Sequence, residues 1–443
     1  MADHGASVYD HFYRCLTVQH VLQHIRRYAL SNAYISRGEK KTRGPHFKKE
    51  EDCWHIFLDS LSILCDHKTG GQTVTSIAAE LDHGNNGKRT FWILVNRQHP
   101  ESETALRASD HLNGLMERLH QSARGVQANE QLMFESFYDS VSKARNRVNN
   151  YRKKLQGRIA ALKDRATGLS PEEILLIEKI DTLVDENKTV CTLCKKAYEF
   201  RSTGHARKLA ERARKDPTDE WKHVCHFIGR LGAWLKASLF LFENASCFAD
   251  ILSNYEVKIV PIGDYTRFST PQPMWDLQRL LLHTLPTHFD VSKARLEHLF
   301  GQGAWNVANS LLEECEATGW RLKTHAEASM AHFFFVEDRH FVNEDRYIGC
   351  SKPSCMCCEL YLEALSGKFA QRPRSGNAWI QWRLPGPSPS TSASANAIMQ
   401  RMADRLQRDI EIELISASKG HVFTHDSSTN MSSVLGRSSM HHQ

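Results

Sequence analysis

Four cysteines crowd into nine residues of this 443-residue chain: Cys350, Cys355, Cys357 and Cys358. The string Thr324-His-Ala-Glu327 ends 28 residues ahead of Cys355. Twelve cysteines in a chain this long fit thiols or metal ligands better than a disulfide framework. One imidazole and two thiolates make a three-ligand set for zinc, with a fourth position left for water. Such a set constrains the fold, because His325 and the Cys355/Cys358 pair must meet on short, rigid elements. Thr324 is the expected N-cap of a helix that carries His325 and Glu327 in its first turn. Ser354 is the expected N-cap of a second, with Cys355 and Cys358 three apart on one face. Helix N-termini favour the ligating thiolate. Cys357 points elsewhere on that turn and is the spare thiol. Cys350, at a strand end, is the weaker alternative ligand.

The catalytic candidate is Glu327, and the metal candidates are His325, Cys355 and Cys358. Zinc lowers the pKa of bound water toward roughly 7. The combination of His-x-Glu with a later Cys-x-x-Cys matches the signature of zinc deaminases, in which the glutamate moves protons and is not a ligand. That role predicts that Glu327→Ala keeps metal and fold while losing activity. Plainer readings stand beside it. Thr324-x-x-Glu327 also fits a capping box, which would make Glu327 structural. Cys-x-x-Cys alone suits redox chemistry or structural zinc. His-x-Glu alone says little: His99-Pro-Glu101 fits it too, with no Cys-x-x-Cys in usable range.

Around the site, apolar spacing predicts helices over 7–35 and 50–67, with a basic, Gly-containing loop over 37–49. Residues 73–81 and 89–96 are β-branched and aromatic-rich, and the connection between them is full of turn formers, which predicts a hairpin. This hairpin is expected to share a sheet with the strand ending at Cys350, since an isolated hairpin is marginal. From 102 to 318 the pattern is helical, with Ser170-Pro-Glu-Glu173 marking one helix start and a short strand expected over 257–262. Further strands are expected over 346–350 and 378–383. The chain thus reads as a helical N-terminal region (1–70), a first hairpin (71–98), a helical stretch (99–320), a zinc core (321–385), a low-complexity linker (386–395), a C-terminal helix (396–416) and a disordered tail (417–443).

His325-Ala-Glu327 followed by Asp345-Arg-Tyr-Ile-Gly-Cys-Ser-Lys-Pro-Ser-Cys-Met-Cys-Cys358 resembles the cytidine-deaminase-like superfamily. More closely, it is similar to fungal predicted nucleic acid or nucleotide deaminases related to bacterial toxin deaminases. Gly376-Asn-Ala-Trp-Ile-Gln-Trp-Arg-Leu-Pro385 and Phe227-Ile-Gly-Arg-Leu231 resemble other segments of those proteins. The resemblance implies an α/β fold with a three-layer sheet, a hairpin as its first two strands and the helical stretch as an insertion. It implies zinc as cofactor and a substrate contact at Asn96, at the end of the second strand. This chain departs from the pattern at Ser354, which separates Pro353 from the first cysteine where many deaminases have Pro-Cys directly.

The formal charge of +6 and a pI near 8.6 permit a nucleic-acid partner without demanding one. No stretch reads as a membrane span or an apolar signal core, so a cytoplasmic or nuclear protein is expected. Residues 143–165 hold nine Lys or Arg and one acid, either a stripe that tracks phosphates or a solvated helix face. Cys191-Thr-Leu-Cys194 reads as a buried helical pair ahead of a second zinc site. The expected function is hydrolytic deamination of a cytosine or adenine base, as a nucleotide or within single-stranded nucleic acid. The alternative is a non-catalytic, zinc-stabilised deaminase fold that acts by binding.

Overall fold

A computed structural model describes residues 7–32, 49–69, 71, 73–82, 87–96, 101–165, 168–185, 187–215, 220–261, 276–300, 303–318, 322–387 and 392–415. In chain order the elements are α1 (Val8–Asn32), α2 (Lys49–Cys65), β1 (Thr75–Asp82), β2 (Lys88–Val95), α3 (Glu103–Ala123), α4 (Asn129–Lys143), α5 (Arg145–Asp164), α6 (Pro171–Leu183), α7 (Val190–Arg201) and α8 (Gly204–Lys215). Then follow α9 (Glu220–Glu243), α10 (Ala249–Ser253), β3 (Tyr255–Ile259), α11 (Leu277–Thr284), α12 (Phe289–Phe300), α13 (Gly303–Thr318), α14 (Ala326–Val336), β4 (Gly349–Cys350), α15 (Met356–Ala364) and α16 (Ala393–Leu414). The fold is mostly helical, with one small mixed sheet. Two compact units share the chain: one takes the described residues of 1–39, 261–339 and 353–425, the other those of 40–260 and 340–352.

The sheet lies in the second unit, in the order β3-β2-β1-β4. β1 and β2 form the expected antiparallel hairpin, from Thr75 opposite Val95 to Asp82 opposite Lys88. β4 pairs antiparallel with β1, Ser76 opposite Cys350 and Ile77 opposite Gly349, so the hairpin and the strand ending at Cys350 do share a sheet. β3 runs parallel to β2. Residues 77–79 and 91–95 are all buried, so the sheet centre is covered on both faces, which is why its strands read as apolar runs. The strand expected over 346–350 shortens to two residues. A Cβ at Gly349 would stand 2.5 Å from the Leu58 carbonyl carbon, so only glycine lets β4 approach α2 this closely.

α9 is apolar nearly all round and is the helix on which α2, α4, α5, α7 and α8 pack. At Gly232 a Cβ would meet the Tyr198 backbone at 3.1 Å, so the α7–α9 contact is backbone-close. α6 begins as expected: Glu173 N–H donates to Ser170 Oγ (3.3 Å), and Ser170 N–H donates to Glu173 Oε2 (2.8 Å).

In the first unit α1 packs on α11, α13 and α16, and α15 on α14 and α16. Met399, Met402, Leu406 and Ile410 form the buried face of α16, as their spacing predicts. The segment 378–383 is not a strand. It turns, with Trp382 N–H donating to Trp379 O (2.9 Å), and meets only Lys323 in a single parallel bridge. The fully buried Trp382 ring holds it, while Tyr13 donates to Trp382 O (2.8 Å). Most of the basic loop over 37–49, part of the linker and the tail lie outside the described residues. Among the described residues no helix is long and apolar enough to cross a membrane.

Candidate metal centre

The first unit brings His325, Cys355 and Cys358 together, their ligand atoms all within 4.8 Å of one another. His325 Nδ1 lies 3.3 Å from Cys355 Sγ and 3.4 Å from Cys358 Sγ. Tetrahedral zinc with ordinary Zn–N and Zn–S bonds puts such atoms about 3.6 Å apart. The donors therefore already stand nearly where zinc would hold them, and a soft N/S₂ set suits that metal. Both helices start one residue later than the hydroxyl caps predict. His325 is itself the N-cap of α14, and Cys355 that of α15. Cys355 Sγ accepts from Cys358 N–H at 3.4 Å, because the Ser354 hydroxyl is engaged elsewhere.

Burial pushes the Cys355 thiol up, but the hydrogen bond from Cys358 and the adjacent His325 outweigh it and hold it well below its ordinary value. Burial and the Cys355 sulfur hold Cys358 well above. A divalent cation between the sulfurs would relieve the repulsion that raises Cys358. Cys357 is fully buried and turned to the Trp379 backbone, outside the ligand group, as expected of the spare thiol.

Glu327 is 4% exposed. Its Oε1 accepts from the Ser354 hydroxyl and lies 3.3 Å from Arg372 Nη1, which also donates to Ser354 Oγ at 3.4 Å. Its carboxylate turns to these groups, and the N-cap His325 receives no side-chain cap bond, so the capping-box reading of Glu327 falls. Burial raises its pKa, with Arg372 and then Ser354 pulling the other way. Ser354, the inserted residue, is pinned by its backbone. Its N–H donates to Pro373 O (2.9 Å), and its carbonyl accepts from Ser375 N–H (2.8 Å) and Ser375 Oγ (3.0 Å). From α1, Gln23 donates to Gly376 O (2.8 Å) and accepts from Ala378 N–H (2.9 Å). Sequence reasoning missed Arg372, whose partner lies 45 residues away with no local pattern to announce it.

The other candidates lie in the second unit. Asn96 follows β2 and is buried, its amide donating to Gly71 O at 2.8 Å. Its Oδ1 has no partner among the described residues. Cys350 sits in β4 outside the ligand group, its N–H donating to Asp59 Oδ1 at 2.9 Å. Cys191 and Cys194 both lie on α7, Cys194 buried and Cys191 half-buried. The basic run on α5 is partly consumed inside the fold: Arg147 pairs with Asp66 (2.6 Å), Arg152 donates to Lys188 O (2.7 Å) and Arg158 meets Glu220 (3.2 Å).

No match was found among curated proteins or among solved structures. A family model does match, over the stretch that carries all four site residues. Residues 324–386 match the OTT_1508_deam-like deaminase family, a cytidine-deaminase-like family related to toxin deaminases.

Proposed function

We propose that this chain is a zinc-dependent hydrolytic deaminase of a cytosine or adenine base. The carrying observation is the juxtaposition of a three-donor N/S₂ set with a buried glutamate whose side-chain contacts among the described residues fall on Oε1. His325, Cys355 and Cys358 would hold the zinc, which when bound would activate water at neutral pH. Ser354 and Arg372 both engage Oε1, which orients the carboxylate and leaves Oε2 to move protons. Glu327 takes one proton from the attacking water and gives it to the ring nitrogen, then carries the second proton of that water to the amino group, which leaves as ammonia while the new C–O bond becomes the carbonyl. On this reading the hairpin and β4 belong to a three-layer deaminase sheet, the segment between β2 and α14 is an insertion, and Asn96 contacts substrate. The substrate class is a nucleotide or single-stranded nucleic acid, for which Lys153 and Lys154 remain exposed on α5. The place of action is the cytoplasm or nucleus.

The test is metal analysis followed by ammonia release from a panel of nucleosides, nucleotides and single strands. One zinc per chain and a turnover that Glu327→Gln lowers by about 10²–10⁴ support the reading. Turnover unchanged in Glu327→Gln would falsify the proton role. Zinc without turnover on any member of the panel would favour the non-catalytic, zinc-stabilised alternative.

A further inference from the structure

A small cavity in the second unit is lined by Ile63, Arg147, Tyr151, Arg230, Trp234 and Ser351. It has room for about one water-sized group. Most of its polar lining consists of hydrogen-bond donors. Arg147 spends Nε on the Tyr151 hydroxyl oxygen (3.0 Å) and Nη1 on Asp66, which leaves Nη2 with no acceptor among the described residues. The Tyr151 oxygen accepts from Arg147, and its own proton has no acceptor there either. The Trp234 indole N–H is buried with no partner among the described residues. Ser351 differs: its hydroxyl donates to Asp66 Oδ2 at 2.7 Å. Arg147 also lies over the Tyr151 and Trp234 rings, at 5.6 and 5.5 Å, so the three donors are held as one group.

Buried donors without acceptors are costly, and a cavity that gathers them points to what completes it. Water accepts two hydrogen bonds and must also place two protons, whereas an oxyanion only accepts. Guanidinium groups suit planar or tetrahedral oxyanions best. We propose that this cavity binds a phosphoryl group, one oxygen of which enters between Arg147, Tyr151, Trp234 and Arg230. Arg147, Arg230 and Lys352 all act on Tyr151 and draw its pKa below the ordinary value against the upward pull of burial, which marks the field there as positive. The inference does not depend on the metal centre or on deamination.

Calorimetric titration of the full-length protein with sodium phosphate, against sodium chloride at matched ionic strength, tests it. Phosphate is expected to bind. Tyr151→Phe and Trp234→Phe, which keep an aromatic ring at each position and remove one donor, are each expected to weaken binding roughly tenfold. Near-ultraviolet circular dichroism checks that both variants keep native packing, and Arg230→Gln stands in if either does not. Absence of phosphate binding by the wild type overturns the proposal. So does binding that chloride reproduces, or binding that the substitutions leave unchanged.

Discussion

Two buried carboxylates, one in each unit, face a buried arginine and have opposite surroundings. In the second unit Asp66 is bonded at both oxygens. Oδ1 accepts from the Thr73 hydroxyl (3.0 Å), and Oδ2 accepts from Ser351 (2.7 Å) and Arg147 (2.6 Å). In the first unit Glu327 has both of its contacts, Ser354 and Arg372, on Oε1. A carboxylate bonded at both oxygens holds its neighbours in place. One bonded at a single oxygen is oriented and still has an atom with which to exchange a proton. The same pairing of residue types thus builds a joint in one place and a working group in the other.

The largest expected contrast is in metal. Cys355→Ser with Cys358→Ser should remove one equivalent of zinc by metal analysis, whereas Asp66→Ala should remove none. Equal zinc in wild type and the double variant would sink the metal centre. Next comes stability. Asp66→Ala strands Arg147 and should cost about 3–5 kcal/mol in denaturant midpoint analysis. Glu327→Ala removes the carboxylate that faces Arg372, which is 2% exposed, and should cost about 1–3 kcal/mol. Glu327→Gln keeps an acceptor for Ser354 and Arg372 and should cost about 1–2 kcal/mol. If the glutamine variant matched Asp66→Ala in stability loss, Glu327 would be a joint as well.

A smaller contrast is in pH. Burial, with His111 next, pulls the His67 pKa down to about 3 from its ordinary 6.5. Its neutral form is therefore the folded one, and the unfolded chain binds the proton more readily. The stability it permits is present above pH 6.5 and is lost as pH falls toward 3. His67→Gln should flatten that part of the acid limb in thermal melts, and an unaltered limb would remove His67 from the account. The smallest effect is Ser354→Ala, which deletes the bond to Glu327 and the longer one from Arg372 and should cost about 1 kcal/mol. A loss several times larger would make the hydroxyl a structural hub.

What was legible in the chain was what local pattern encodes. The hairpin and the α6 capping box appear where spacing places them, and His325, Cys355 and Cys358 lie together. The caps slipped by one residue, because a cysteine sulfur and an imidazole took positions that hydroxyl propensity assigns to Thr324 and Ser354. The strand over 378–383 was misread because Trp379, Ile380 and Trp382 look like sheet residues, while the chain there turns around one buried indole. Arg372 was invisible, since an ion pair across 45 residues leaves no periodicity. The α5 run showed its charge, but not that Arg147 and Arg152 turn inward; only tertiary packing decides which side of a helix meets water.

The sheet has a consequence for how this molecule behaves when crowded or heated. An unprotected strand edge is a template for other chains. Beyond the two residues of β4, the outer edge of β1 is capped where Leu81 N–H donates to His340 O (2.9 Å) and Glu80 meets Phe341 in a bridge. The opposite edge is β3, only five residues long, with Glu256 and Lys258 paired on it. Short, capped and charged borders keep a sheet with so apolar a centre from recruiting copies of itself. Aggregation should therefore begin only once β4 or β3 has come away.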